Sequence, residues 1–174
     1  EISDKLAVHN QSVFLSSLDM ETSITHVAKV IGTPCMGQSY PNYFAANLAA
    51  NSVKVICSGV GGDELFAGYP WRYMSLNENS KIRVSRFIYE YYERIQRVAS
   101  NNDLRRLLRT EIFAFDESWT LDRISEIVHE KYDSYDLLNS EEVIQLCLYI
   151  ETKSFLHGLL YIEDSISMFY GLET

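Results

Sequence analysis

The residues most able to do chemistry follow an apolar run at 53–57, in the stretch SGVGGDE at positions 58–64. Its glycines permit backbone conformations with positive φ and a close approach of the chain to a bound group. Successive backbone N–H groups in such a turn can surround an anion such as phosphate. The loop therefore predicts an anion-binding turn, and a plain Gly-rich turn stays open as the alternative because such loops are a weak signal.

Two acids, Asp63 and Glu64, close this loop and begin a predicted short helix. A carboxylate is favoured at a helix N-terminus by the helix dipole. Mg²⁺ is commonly held by one or two carboxylates together with nucleotide phosphates. The pair is thus a candidate metal site, whereas the loop lacks the GK[ST] of a P-loop and the spacing of a dinucleotide fingerprint.

The elements that position this loop alternate between helix and strand over the first 70 residues. The β-branched run VKVIC at 53–57 predicts a buried strand. Alternation of this kind is typical of an α/β layer with a parallel sheet, and ligands bind beyond the carboxyl ends of such strands. The preceding elements are expected to be an initial helix, a strand at Ser12–Leu15, a helix capped at Thr22 or Ser23 and ended by Gly32, a loop at 32–41 and a helix at 42–51.

The second half has helical spacing of apolar residues throughout. Asn139 with Glu142 three residues later has the pattern of a capping box. The expected helices cover 81–100, a segment that starts at Asn102 or Asp103, 118–132, a segment after Asn139, and 155–168 with Gly158 as the candidate break.

Composition narrows the class of protein. The chain has 174 residues, 47% of them hydrophobic, and a formal net charge of −9. Such an acidic protein is a poor candidate for nucleic-acid binding, and no apolar run is long enough to span a membrane. Three cysteines without CxxC spacing fit a reducing compartment, so we expect a cytoplasmic protein. Cys57 is interpreted as a small core hydrophobe.

Three stretches resemble the asparagine synthase family. SGVGGDELFAGYPWRY at 58–73 is similar to the family motif S-G-[ED]-G-[SG]-D-E-[LV]-F-x-G-Y-x-R-Y. LLYIEDSISMFYGLET at 159–174 is similar to L-L-x-x-x-D-R-x-S-M-x-x-x-x-E-x-R-x-P-F-L-D, and residues 32–55 resemble the segment that leads to the family's strand. The stretches keep the family's order and spacing, so the resemblance covers almost the whole chain.

The resemblance implies an incomplete, helix-rich α/β domain of the adenine-nucleotide α-hydrolase-like type, also called a PP-loop ATPase. The chain would be one partial domain over 1–174, with an α/β part and a parallel-sheet remnant at 1–75 and a mainly helical part at 76–174. The implied reaction is that of a ligase: ATP activates a carboxylate as an acyl-adenylate, pyrophosphate leaves, and an amine or ammonia attacks to form an amide.

The resemblance also implies roles for four residues. Ser58 and Gly59 match positions whose backbone lies against ATP, and Asp63 matches an aspartate associated with Mg²⁺. Glu64 follows as a supporting acid and is the catalytic candidate. The implied partners are a small-molecule or peptide carboxylate and an amine donor, including ammonia from a glutaminase domain; a membrane partner is not expected, and the oligomeric state is left open.

The chain departs from the family pattern in ways that affect the expected activity. The pyrophosphate-binding loop S-G-G-x-D-S would lie upstream of Glu1, and the sequence stops before R-x-P-F-L-D and a downstream catalytic lysine. The isolated chain is therefore expected not to release AMP from ATP. Val60 stands where asparagine synthetases carry an acid, and valine cannot do acid–base work; Ser165 replaces an arginine. We expect a product other than free asparagine, and the alternative is a non-catalytic binding module.

Overall fold

The computed structural model describes residues 2–33, 39–74, 76, 81–95, 100–107 and 118–174. These residues form two compact units. Unit 1 comprises Glu1–Val60 and Gly158–Thr174, and unit 2 comprises Gly61–His157. Cys35, the middle of the predicted loop at 32–41 and the end of the helix predicted from Asn102 or Asp103 lie outside the described residues.

The described part of the chain is rich in helices. In chain order the elements are α1 (Ile2–Leu6), α2 (Ser17–Ile31), α3 (Ser39–Ala50), α4 (Gly62–Leu65), α5 (Pro70–Met74), β1 (Ile82–Arg83), α6 (Val84–Ile95), α7 (Asn101–Leu107), α8 (Ser118–His129), β2 (Leu137–Leu138), α9 (Ser140–Lys153) and α10 (Phe155–Phe169). Among the described residues, no helix has the length and apolar character needed to cross a membrane. The expectation of one domain divided at residue 75 stays a prediction.

Helix α2 ends where the sequence predicts but begins earlier. Gly32, with φ of 81°, follows its last turn as expected. The predicted cap at Thr22 or Ser23 is wrong, because Ser16 and Asp19 form a capping box six or seven residues upstream. The Ser23 hydroxyl instead donates to the Asp19 carbonyl oxygen at 2.6 Å, inside the helix.

Helix α9 confirms the sequence prediction in detail. The Asn139 side-chain oxygen accepts from the backbone N–H of Glu142 at 3.0 Å, and the Glu142 carboxylate accepts from the Asn139 N–H at 2.7 Å. The predicted break at Gly158 is wrong, since α10 is continuous from Phe155 to Phe169. A glycine inside a helix costs only about 1 kcal/mol relative to alanine, and the apolar residues that α10 buries outweigh that cost.

The strands differ most from expectation. The only sheet in the described residues is antiparallel and pairs Ile82 with Leu138, so the helix predicted from residue 81 starts at Val84. Ser12–Leu15 forms no strand and is largely exposed. The helix-rich α/β class agrees with these elements, but the expected parallel sheet is not confirmed.

The run at 53–57 is not a buried strand. Its one pairing among the described residues is an isolated parallel bridge between Val55 and Glu173. Val55 is 63% exposed, and Cys57 is also exposed, which corrects its interpretation as a core residue. A β-branched run is buried only where neighbouring strands and covering helices enclose it, and a single bridge does not supply that cover.

Each unit has its own apolar core. In unit 1 the buried residues come from α2, α3, α10 and the end of the chain: Val27, Ile31, Ala46, Ile162, Ile166 and Leu172. In unit 2 a larger cluster is built mainly from one face each of α6, α8 and α9. Phe87 and Leu146 are among its fully or almost fully buried members.

Candidate functional site

The run at 53–57 is paired with the end of the resembling stretch 159–174 within unit 1. The Ile56 N–H donates to the Glu173 carbonyl oxygen at 2.8 Å, and the Glu173 N–H donates to the Lys54 carbonyl oxygen at 2.9 Å. Glu173 belongs to the stretch 159–174, so the end of that motif lies alongside the residues that lead to Ser58. These two bonds fix the direction in which the chain leaves the bridge toward the Gly-rich loop.

Ser58 shapes the first turn of that loop. Its hydroxyl oxygen accepts a hydrogen bond from the Val60 N–H at 3.1 Å. Such a serine turn holds the backbone without regular secondary structure. A β-carbon added to Gly59 would meet no atom within 4 Å, so the backbone here faces open space. Ser58 and Gly59 are therefore available to a ligand.

A cavity of about 420 Å³ lies in unit 2, and a smaller one of about 340 Å³ in unit 1 includes Ser58 and Val60. The smaller cavity is bounded by α3, the loop and α10, and alanines on α3 keep it open. Its described lining residues are Asn42, Ala45, Ala46, Ala49, Ile56, Cys57, Ser58, Val60, Glu163, Ile166 and Ser167. The volume falls in the range of small-molecule pockets, which is about 300–1,000 Å³.

Asp63 and Glu64 belong to unit 2, where they lie in α4. Gly61 precedes this helix with φ of 92°, a conformation that favours glycine. Glu64 is only 2% exposed, and its carboxylate accepts from the Tyr69 hydroxyl at 2.5 Å. Burial, followed by the bond to Glu64, raises the pKa of Tyr69 to about 12, so the phenol remains a proton donor. Glu64 thus ties α4 to the following turn.

Asp63 differs from Glu64 because its side chain is exposed. A β-carbon on Gly68 would lie 1.9 Å from the Asp63 Oδ1 atom, so only glycine at position 68 leaves room for this carboxylate. Within the described residues no set of three His, Cys, Asp or Glu side chains could hold a metal. Mg²⁺ bound with nucleotide phosphates needs only one or two carboxylates, and the exposed Asp63 fits that requirement.

Sequence reasoning missed a buried ion pair in unit 2. The Arg72 guanidinium on α5 donates to the Glu151 carboxylate on α9, 79 positions away. Burial raises the pKa of Glu151, and the neighbouring Arg72 opposes this effect. One signal was available: Glu151 follows Cys147 by four residues and so continues the apolar face of α9. A charge on such a face indicates a buried partner.

The remaining residues of the second motif lie near the end of unit 1. Ser167 is buried, and its hydroxyl donates to the Asp164 carbonyl oxygen at 3.1 Å. Ser165, at the position of the family arginine, donates to the Tyr161 carbonyl oxygen at 2.7 Å. Ser165 therefore bonds within its own helix and supplies no positive charge there.

The model of a family described as asparagine synthase matches residues 1–174. No curated protein and no solved structure is significantly similar to the chain.

Proposed function

The chain belongs to the asparagine synthase family. We propose that it is part of an ATP-dependent ligase that joins a carboxylate to an amine. The family uses ATP, and the match includes the loop at 58–64. The observation that carries the proposal is that Ser58 and Val60, at the start of this loop, line a cavity in unit 1. The expected chemistry is activation of the carboxylate by adenylation, which makes it reactive toward the amine.

The proposed roles follow the exposure of each residue. The backbone at Ser58 and Gly59 contacts the nucleotide, because the loop there faces open space. Asp63 holds Mg²⁺, which neutralises phosphate charge when it is bound. Glu64 is a positioning residue, since its buried carboxylate is engaged by Tyr69 rather than presented to a ligand.

Val60 supports a product other than free asparagine. It lines the cavity and brings an apolar side chain to the position where asparagine synthetases carry an acid. An apolar group cannot stabilise charge or transfer a proton. The proposed substrates are a small-molecule or peptide carboxylate and an amine or ammonia, the latter supplied by a glutaminase domain.

Val60 and Ser165 also favour a second candidate, a non-catalytic module that binds a nucleotide without turning it over. Both residues lack the charge of their family counterparts. This candidate predicts nucleotide binding without ATP–pyrophosphate exchange for any carboxylate, whereas the ligase predicts exchange with at least one.

Calorimetry of ATP binding with and without Mg²⁺ tests the site. Even a group that only supports a metal ligand contributes about 10- to 100-fold to metal affinity. Asp63→Asn should therefore lose at least that factor in the gain in ATP affinity that Mg²⁺ provides. ATP binding in EDTA should not change. Asp133→Asn, at another exposed aspartate of unit 2, is the control and should behave like the wild type. Equal Mg²⁺ dependence in Asp63→Asn and wild type would remove Asp63 from the site.

A further inference from the structure

The cavity of about 420 Å³ is lined wholly by residues of unit 2 and shares no lining residue with the cavity at Ser58. Its walls come from α5, α6, α8, α9 and the start of α10. The described lining residues are Arg72, Tyr91, Trp119, Thr120, Arg123, Ile124, Ile127, Ile150, Ser154 and Phe155. Its size is sufficient for a small organic molecule.

Aromatic and branched aliphatic side chains form most of this wall. Trp119 is 70% exposed although it is one of the largest apolar side chains, and Phe155 is also exposed. Ile124, Ile127 and Ile150 are buried. Rings that lie open beside an aliphatic wall can stack on a planar apolar group, so the cavity is suited to an aromatic ligand.

The charges at the wall are all positive. The described lining residues include Arg72 and Arg123 but no acid, on a chain whose net charge is −9. Their partners Glu151 and Glu126 are not among the lining residues. A wall that combines arginine with apolar surface is complementary to an anion that carries an apolar group.

Arg72 brings a buried, ion-paired guanidinium to this wall. The side chain is only 7% exposed, and its Nε atom has no hydrogen-bond partner among the described residues. The guanidinium carbon lies 4.2 Å from the centre of the Tyr69 ring and 5.2 Å from that of Phe155. The same ion pair leaves the Glu151 Oε2 atom without a hydrogen-bond partner among the described residues, so the unpaired donor belongs to the pair itself. What Arg72 gives the wall is a guanidinium held against aromatic rings, and its planar shape suits a carboxylate.

We propose that this cavity binds a small aromatic carboxylate, with its ring against Trp119 and Phe155 and its carboxylate directed to Arg72 and Arg123. All the residues involved lie in unit 2. The inference therefore does not depend on the proposed ATP site, and its test requires no nucleotide.

The first experiment compares 3-phenylpropionate with its neutral analogue 3-phenylpropanamide, by calorimetry on the full chain. The two probes share the ring and differ in charge. Because hydrogen bonds to charged groups are the stronger ones, the carboxylate should bind about tenfold more tightly. Equal affinities, or no binding of either probe, would overturn the proposal.

Two pairs of variants place the bound probe in the cavity. Trp119→Ala should weaken 3-phenylpropionate binding about threefold to tenfold, the loss expected for one aromatic contact. Tyr135→Ala, which removes an exposed ring outside the cavity, should leave it unchanged. Arg123→Gln should weaken binding about twofold to fivefold, whereas Arg86→Gln, at a similarly exposed and ion-paired arginine outside the lining, should not.

A second copy of the chain is the competing occupant of this surface. Sedimentation of the wild type and Trp119→Ala at several protein concentrations distinguishes a second copy of the chain from a small-molecule ligand. The proposal predicts the same mass for both proteins, and 3-phenylpropionate should not change it. A dimer of the wild type that Trp119→Ala or the probe dissociates would assign the cavity to self-association and contradict the proposal.

Discussion

The proposed nucleotide-contacting residues of unit 1 and the buried charges of unit 2 differ greatly in exposure. In unit 1, Ser58 and Gly59 follow an exposed run that is held by one parallel bridge, and the core below them is small. In unit 2, Glu64 and the Arg72–Glu151 pair are buried beside a larger core. The difference indicates that changes at Ser58 and Gly59 act on binding, whereas changes at the buried charges of unit 2 act first on stability.

The largest expected effect is the loss of the buried ion pair in unit 2. Arg72→Gln leaves the Glu151 carboxylate buried without its countercharge, which should lower the free energy of unfolding by about 3–5 kcal/mol. Arg86→Gln breaks an exposed pair with Glu90 and should cost about 0–1 kcal/mol. Urea unfolding of both variants measures the difference, and equal costs would show that burial of the Arg72 pair has no energetic consequence.

A matched pair of core truncations compares the units directly. Leu146 in unit 2 and Leu172 in unit 1 are almost fully buried. A buried leucine truncated to alanine costs about 2–5 kcal/mol, and the cost rises with the cavity that remains. We expect Leu146→Ala near the upper end, since it lies in the larger cluster, and Leu172→Ala near the lower end. The reverse order in urea unfolding would contradict the ranking of the two cores.

The smallest expected effect is a difference in pH dependence. Hydrogen bonds from Ser16 lower the pKa of Asp19 in unit 1 below its ordinary value of 3.8. The ionised Asp19 therefore stabilises the fold above the pH that matches the ordinary pKa, and this contribution is lost as the pH falls through the lowered pKa. Burial raises the pKa of Glu151 in unit 2. The stability contributed by Glu151 is therefore fully present at a pH below its ordinary pKa and is lost as the pH rises through the raised pKa.

Thermal unfolding from pH 3 to pH 8 measures both contributions. The advantage of the wild type over Asp19→Asn should shrink toward acid pH. Relative to Glu151→Gln, the wild type should instead lose stability as the pH rises above the ordinary glutamate range. If the curves of unfolding temperature against pH are parallel for the wild type and one of the variants, the residue changed in that variant makes no pH-dependent contribution to stability.

Local features were predictable from the sequence, and long-range ones were not. The Asn139 capping box, the end of α2 at Gly32 and the helix that contains Asp63 depend on residues within a few positions of each other. The Arg72–Glu151 pair and the Val55–Glu173 bridge join residues that are 79 and more positions apart. Periodicity describes which face of an element is apolar, but it does not identify the element that covers that face.

The exposure of the run at 53–57 illustrates the same limit. A β-branched composition predicted a buried strand, but burial depends on neighbours elsewhere in the chain. Ser58 lines a cavity, and the predicted anion-binding role of its turn stays a prediction. That Glu64 is buried against Tyr69 while Asp63 stays exposed could not be read from two adjacent acids, because it follows from how α4 packs.

We propose that this chain carries the nucleotide-handling residues of an amide-forming ligase. ATP–pyrophosphate exchange by the full-length protein, measured with a panel of carboxylates, tests it most directly. We predict exchange with at least one carboxylate in the wild type, its loss in Asp63→Asn and its retention in Asp133→Asn. No exchange with any carboxylate would contradict the proposed ligase activity, and undiminished exchange in Asp63→Asn would contradict the proposed role of Asp63.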